Sequence, residues 1–289
     1  MYTLNCKGRL LNIKDPIVMG ILNTTPDSFF SGSRLDTVDA ALNKAEQMIS
    51  EGATILDIGG QSTRPHSSFI EADEEASRVI PVIDAVHKRF PEQIISVDTF
   101  HAKVARGAVE AGASIINDVS AGNMDIEMLP AVRQLKVPYV LMHMPGTPQT
   151  MQEHSVYKNV TLDVFDYLNL RMKQLVESGI TDILIDPGFG FGKTIAQNFQ
   201  LLQNLSYFLH LNKPLLIGLS RKATVYKTLK ITSGEALNGT TVINTLALMN
   251  GASILRVHDV KQAVEAIALC KAYRQSGNPN LEDSRFRDK

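Results

Sequence analysis

Ile94-Ile95-Ser96-Val97-Asp98-Thr99 is a six-residue run, too short for a helix, apolar in its body and ended by a carboxylate and a hydroxyl. Seven more runs of this kind lie along the chain, at 18–23, 54–59, 114–119, 139–144, 182–187, 215–220 and 254–259. All are rich in Ile, Val or Leu and lack apolar–polar alternation. Such runs read as parallel strands buried on both faces. Segments of helical period separate them. Val38, Ala41, Leu42, Ala45, Met48 and Ile49 repeat at i, i+3, i+4, i+7, i+10 and i+11, which is one face of an amphipathic helix. Val164, Leu168, Met172 and Leu175 repeat the pattern. The segment 71–86 carries Asp73, Glu74 and Glu75 early, where a helix dipole favours acids.

Eight strands alternating with helices favour a closed (β/α)8 TIM barrel over a doubly wound open sheet. Residues 2–13 are expected to form a short N-terminal hairpin across the barrel's bottom. No linker-like stretch divides the 289 residues, so one domain with a core at about 16–275 is expected, followed by a polar, frayed tail at 276–289.

Each run ends in residues that a core would not select: Asn23, Gly59-Gly60, Asp98-Thr99, Asn117-Asp118, His143, Asp186, Ser220 and Arg256/His258. An unpaired buried carboxylate or amide costs several kcal/mol. Polar residues at every strand end therefore point to a catalytic face, the place where barrel enzymes keep their sites. Arg256 and His258 are two apart, so both point to one side of their strand, where they suit an anion. A salt bridge from Arg256 to a neighbouring Asp is the plainer reading. Asp98, Asn117 and Asp186 suit the donor edge of a 2-amino-4-oxo heterocycle. A structural Asp/Asn network, or carboxylate metal ligands lacking their His partners, are the other readings.

Asp186-Pro187-Gly188-Phe189-Gly190-Phe191-Gly192-Lys193-Thr194 resembles a nucleotide loop but fails on spacing, because Pro187 and Lys193 stand where glycines are needed. Its glycines suit a close approach of backbone and Phe191 to a planar ligand. Lys222 is a candidate Schiff-base lysine, anion ligand or donor to a ring carbonyl. The polar segments 24–34 and 61–70 read as mobile loops over a substrate.

A balanced composition excludes several classes. The net charge is -1, with 44% hydrophobic and 20% charged residues. Nothing marks a nucleic-acid or membrane-surface protein. Two distant cysteines and no HExxH argue against a disulfide framework or a zinc site. A cytoplasmic enzyme is expected.

From about residue 18 to 260 the chain resembles the dihydropteroate synthase family. The resemblance rests on the ordered segments 19–29 (MGILNTTPDSF), 57–65 (DIGGQSTRP), 96–99 (SVDT), 117–119 (NDV), 142–144 (MHM), 186–193 (DPGFGFGK), 220–222 (SRK) and 256–259 (RVHD). It implies a transferase of folate biosynthesis that joins 6-hydroxymethyl-7,8-dihydropterin diphosphate to p-aminobenzoate. The products would be 7,8-dihydropteroate and pyrophosphate, formed through a cation-like step. It further implies that Asp98, Asn117, Met142, Asp186, Gly218 and Lys222 hold the pterin. Asn23, Thr63, Arg64, Arg256 and His258 would bind the diphosphate, with Mg2+ on Asn23. Phe29, Thr63, Pro65, Phe191 and Ser220 would shape the p-aminobenzoate site. Asp98, Lys222, Asp27 and Arg256 would carry the chemistry, with Asp27 and Phe29 on the closing first loop. Sulfonamide inhibition and a homodimer are also implied.

Two positions depart from the common family wording: Gln61 stands where Glu is usual, and Phe30-Ser31-Gly32-Ser33 replaces a tighter turn. A corrinoid-linked pterin methyltransferase, a Schiff-base aldolase using Lys222 and a non-catalytic pterin-binding paralogue are the alternatives.

Overall fold

A computed structural model describes residues 1–24, 34–61, 69–151, 153 and 155–276, and no side chain of residues 34–37. The expected frayed tail falls, from residue 277, outside the described residues. The strands form where the apolar runs stand. They are β3 (Ile17–Asn23), β4 (Ile55–Gly59), β5 (Ile94–Asp98), β6 (Ile115–Asp118), β7 (Tyr139–Met142), β8 (Ile183–Asp186), β9 (Leu216–Ile217) and β10 (Ile254–Val257). All pair in parallel, in the order β8-β7-β6-β5-β4-β3-β10-β9. A bridge from Ile185 to Leu215 joins the two ends of that order and closes the barrel. Most strands stop one or two residues before their apolar runs do, because those last residues already turn into loops.

Helices alternate with the strands. They are α1 (Arg34–Ser50), α2 (Ala72–Arg89), α3 (Ala102–Glu110), α4 (Met128–Leu135), α5 (Val160–Glu177), α6 (Ile195–Gln203), α7 (Ala223–Leu229), α8 (Leu237–Met249) and α9 (Val260–Gln275). The face predicted for α1 is the packed one: Ala41, Ala45 and Met48 are buried, and Val38, Leu42 and Ile49 lie against the core. In α5, Val164, Leu168 and Leu175 do the same, and the Asn159 side chain caps the helix by accepting from the amides of Thr161 and Leu162.

The hairpin is present, as β1 (Tyr2–Cys6) antiparallel to β2 (Arg9–Ile13). Its Leu4, Cys6, Leu11 and Ile13 pack against one residue from every barrel strand: Met19, Ile55, Ile94, Ile115, Val140, Leu184, Leu216 and Ile254. Side chains alternate along a strand, so this ring sets the parity of the interior. The next inward ring comes two residues on: Ile21, Asp57, Ser96, Asn117, Met142, Asp186, Gly218 and Arg256. The mouth follows after two more, at Asn23, Gly59, Asp98, Ser220 and His258. An apolar floor thus carries a polar second storey.

Candidate active site

Arg256 reaches across the barrel from β10. Its Nε donates to Asp57 Oδ2 at 2.6 Å, and its Nη2 donates to Asp98 Oδ2 at 2.5 Å. Asp57 Oδ2 also accepts from Asn117 Nδ2 at 3.0 Å. Asp57 is fully buried. One guanidinium therefore ties together β4, β5 and β10, and β6 joins through Asn117. The planar fork of arginine can serve two carboxylates at once, which a lysine point charge cannot. Burial works against the charged guanidinium, yet Asp57 and Asp98 hold its pKa above the ordinary value. Burial pushes Asp98 up to about 7 against the pull of Arg256. The salt bridge foreseen as the plainer reading of Arg256 is thus present, with Asp57 in the same storey and Asp98 at the mouth above it.

Opposite lie Asp186 and Lys222. Burial raises the Asp186 carboxyl, with Lys222 and the Gly188 amide opposing. The Gly188 N–H donates to Asp186 Oδ1 at 2.7 Å. Lys222 Nζ donates to the Phe189 carbonyl at 2.6 Å and sits 4.5 Å from the centre of the Phe191 ring. Burial lowers Lys222 to about 8, with Asp186 opposing. A Cβ on Gly218 would lie 3.7 Å from Lys222 Nζ, so this glycine leaves room beside the ammonium.

The glycine loop 188–192 is shaped by buried Lys193. Its Nζ meets His143 Nδ1 at 3.0 Å and donates to the carbonyls of Gly188 (2.9 Å) and Phe191 (3.0 Å). Burial and then Lys193 drive His143 down to about 2, so its ring is neutral and accepts. A Cβ on Gly188 would lie 1.9 Å from the His143 carbonyl oxygen at φ +74, which only glycine tolerates. The Thr194–Gln197 capping box then starts α6. The loop is thus a rigid shelf that sets the Phe191 ring beside Lys222.

At the mouth, Ser220 Oγ lies 3.0 Å from His258 Nδ1 and accepts the His258 amide at 3.2 Å. Arg221 makes a two-pronged pair with Asp259, both bonds 2.8 Å, which locks the β9 and β10 loops together. Asn23 ends β3 half-buried, on one register row with Gly59, Asp98 and Asn117. Met142 joins Phe100, Val119, Met144, Met151 and Phe191 in an apolar cluster.

The structure gathers Asn23, Asp98, Asn117, Met142, Asp186, Phe191, Gly218, Ser220, Lys222, Arg256 and His258 at one end of the barrel. Asp27, Phe29, Thr63, Arg64 and Pro65 lie outside the described residues. Gln61 stands at the root of the second loop, where its Oε1 accepts the Ile70 amide at 3.1 Å. The same acceptor role is open to the usual Glu.

Three strand-end residues read as part of the catalytic face are not at it: Thr99 follows inward Asp98 and donates to Glu75 of α2, and Asp118 and His143 also turn away. Asp118 follows inward Asn117 and so points outward. It accepts from Ser120, Gly122 and the Tyr139 hydroxyl and is a loop anchor. His143 follows inward Met142 and serves Lys193. Asp57 was missed as a site residue although its motif was in view. Parity was the available signal, since Asp57 is two residues before Gly59 and must face the same interior.

Glu75 was missed as well. It is a fully buried acid at the start of α2, packed under Gly60, and it accepts from Thr99 Oγ1 at 2.8 Å. Burial pushes its carboxyl up to about 7, against the Thr99 bond. A raised carboxyl favours the protonated fold. The stability it permits is therefore complete below the unfolded value near 4.5 and is lost as pH rises through about 7. Glu75→Gln removes that loss. Its melting temperature should exceed the parent's at pH 8 by the equivalent of about 2 kcal/mol, and the gap should close by pH 5. Equal melting of the two proteins at pH 8 would contradict the assignment.

The geometry is that of an anion- and heterocycle-binding barrel. Residues 19–258 match the family model described as pterin binding enzyme. The chain is 43% identical to a dihydropteroate synthase of Escherichia coli (strain K12) over 93% of this chain and 95% of that one. It superposes on Xanthomonas albilineans dihydropteroate synthase with 4-aminobenzoic acid at a TM-score of 0.88 and 42% identity, covering 94% of this chain and 98% of that one. On the Yersinia pestis enzyme in a sulfonamide drug complex the TM-score is 0.89 at 41% identity, covering 95% and 100%. The chain belongs to the dihydropteroate synthase family of pterin-binding enzymes.

Proposed function

We propose that the chain joins p-aminobenzoate to 6-hydroxymethyl-7,8-dihydropterin diphosphate, giving 7,8-dihydropteroate and pyrophosphate. The observation that carries this reading is the convergence of Asp98, Asn117, Asp186, Lys222 and Arg256, acceptors beside cations, at one barrel mouth. Asp98, Asn117 and Asp186 accept from the pterin's N–H groups, and Lys222 donates to its ring carbonyl. Arg256 and His258, with Asn23, take the diphosphate.

The pterin methylene C–O bond breaks with both electrons going to the diphosphate. The resulting cation is conjugated with the electron-rich ring and faces Asp98. The p-aminobenzoate nitrogen then forms the C–N bond and gives up its proton to the released pyrophosphate. Phe191 and Ser220 flank the amine's approach. A weakly nucleophilic arylamine suits this dissociative order.

Asn23 offers a hard oxygen donor, and among the described residues no group of three His, Cys, Asp or Glu could hold a metal ion. That set fits Mg2+ held mainly by phosphate oxygens and water, with Asn23 as a protein ligand. When bound, Mg2+ neutralises charge on the leaving diphosphate.

An assay of pyrophosphate release with both substrates tests the proposal. Release coupled to dihydropteroate formation is expected, and a folded protein that forms no dihydropteroate would overturn it. A sulfonamide should raise the KM for p-aminobenzoate and leave kcat unchanged. kcat/KM for the pterin substrate should be bell-shaped in pH. It falls below about 7 as Asp98 takes a proton and above about 8 as Lys222 loses one. Lys222→Met should abolish the basic limb.

The free, buried thiols of Cys6 and Cys270 suit a reducing cytoplasm. A homodimer through α8 and α9 also fits. α8 has no charged residue, and Val242, Leu246, Leu269 and Tyr273 are exposed beside a cleft of about 570 Å³. Light scattering should give twice 31.8 kDa.

A further inference from the structure

We propose that Asp57 is a positioning residue that fixes which way round the Asn117 amide is held, and through it the hydrogen-bond polarity of the heterocycle pocket. The inference rests on the pterin reading of the site.

Asp57 Oδ2 receives Arg256 Nε at 2.6 Å and Asn117 Nδ2 at 3.0 Å. An ionised carboxylate only accepts, and a guanidinium only donates. Asp57 Oδ2 already receives Arg256 Nε and so stands at this point as an acceptor. Its neighbour on Asn117 must then be the NH2 group. The reverse orientation would set two oxygens 3.0 Å apart with no proton between them. Asn117 Oδ1 therefore turns away from Asp57. Among the described residues it accepts no hydrogen bond, and the second Nδ2 hydrogen finds no acceptor. Asn117 thus offers a ligand one acceptor and one donor, side by side and in fixed order.

That order selects a heterocycle with an N–H or NH2 next to a ring nitrogen lone pair, and it rejects the mirrored arrangement. The same carboxylate anchors Arg256 by Nε and leaves the far end of the fork to Asp98. Asp57 therefore sets the pterin reader and the anion-binding cation from one fully buried point. It acts through other residues and need not touch substrate.

The test uses 6-hydroxymethylpterin, which lacks the diphosphate, and isothermal titration. The Asp57→Leu variant keeps most of the volume and removes the acceptor, so Asn117 is no longer held in one orientation. Pterin affinity should fall about 30-fold, while the KM for p-aminobenzoate stays within about 2-fold. In an Asn117→Ala background, adding Asp57→Leu should weaken pterin less than about 3-fold further, because the arm it controls is gone.

A folded Asp57→Leu variant that binds pterin like the parent overturns the proposal, and so do losses that simply add. If Asp57→Leu does not fold, neutron diffraction on the parent protein decides the same point. Deuterons on the Asn117 atom facing Asp57 support it, and an oxygen there overturns it. A parent protein that fails to bind pterin would instead defeat the pterin reading itself.

Discussion

An Arg256→Ala variant is expected to lose on the order of 10³-fold or more in kcat/KM and to melt well below the parent protein. Both effects come from one deletion. Truncation leaves Asp57, fully buried, and Asp98, with a side chain 12% exposed, without their shared cation. Breaking a buried ion pair by removing one partner costs about 3–5 kcal/mol. Asp98 can escape part of that cost by taking up a proton. Burial already raises Asp98 and loss of Arg256 raises it further, which makes the variant most unstable at high pH, so its deficit at pH 8 should exceed that at pH 6.

Activity falls for a separate reason, because the diphosphate loses a cation that neutralises it as it leaves. Arg256→Lys separates the two effects. A lysine restores a charge near Asp57 and Asp98 and should recover much of the stability. It cannot hold both carboxylates in one plane and should recover little of kcat. Thermal melts at two pH values, beside steady-state rates, check this. A lysine variant as active as the parent protein would show that the fork geometry is unimportant.

Much of this arrangement was legible in the sequence. Unalternating runs such as 94–99 marked barrel strands, and polar residues at their ends marked the mouth. Resolution failed at the scale of one residue. Asp118 and His143 stand beside true inward residues, and composition does not say which neighbour faces in. Parity does, once one inward residue per strand is known, and the apolar ring packed on the hairpin supplies it. Asp57 becomes legible by the same count.

Lys193 was harder, because its role depends on three acceptors brought together by the fold: His143, Gly188 and Phe191. No local pattern announces a lysine buried as a loop clamp. Glu75 was hidden likewise. Its place in the acidic first turn of α2 explains it as a dipole partner, and only packing under Gly60 shows that it is buried.

Asp98→Asn is the variant that separates chemistry from binding. The substitution is nearly isosteric, and its amide oxygen can still accept from Arg256. The fold should survive with a small change in melting temperature, since burial already brings Asp98 close to half-protonation at neutral pH. The lost charge is the one facing the methylene carbon as the C–O bond breaks. kcat should fall on the order of 10³-fold, about 4 kcal/mol of barrier. The acid limb of the pH profile should disappear with it.

A pterin diphosphate labelled with 18O in the bridging position distinguishes this role from ordinary pterin binding. If the bond breaks before the amine attacks, the parent protein without p-aminobenzoate should scramble the label as pyrophosphate rotates and recombines. In Asp98→Asn, scrambling should slow by the same factor as kcat, because the same cation is destabilised in both processes. Scrambling at the parent rate in a variant with a depressed kcat would place the defect after bond cleavage and remove Asp98 from the cation's stabilisation.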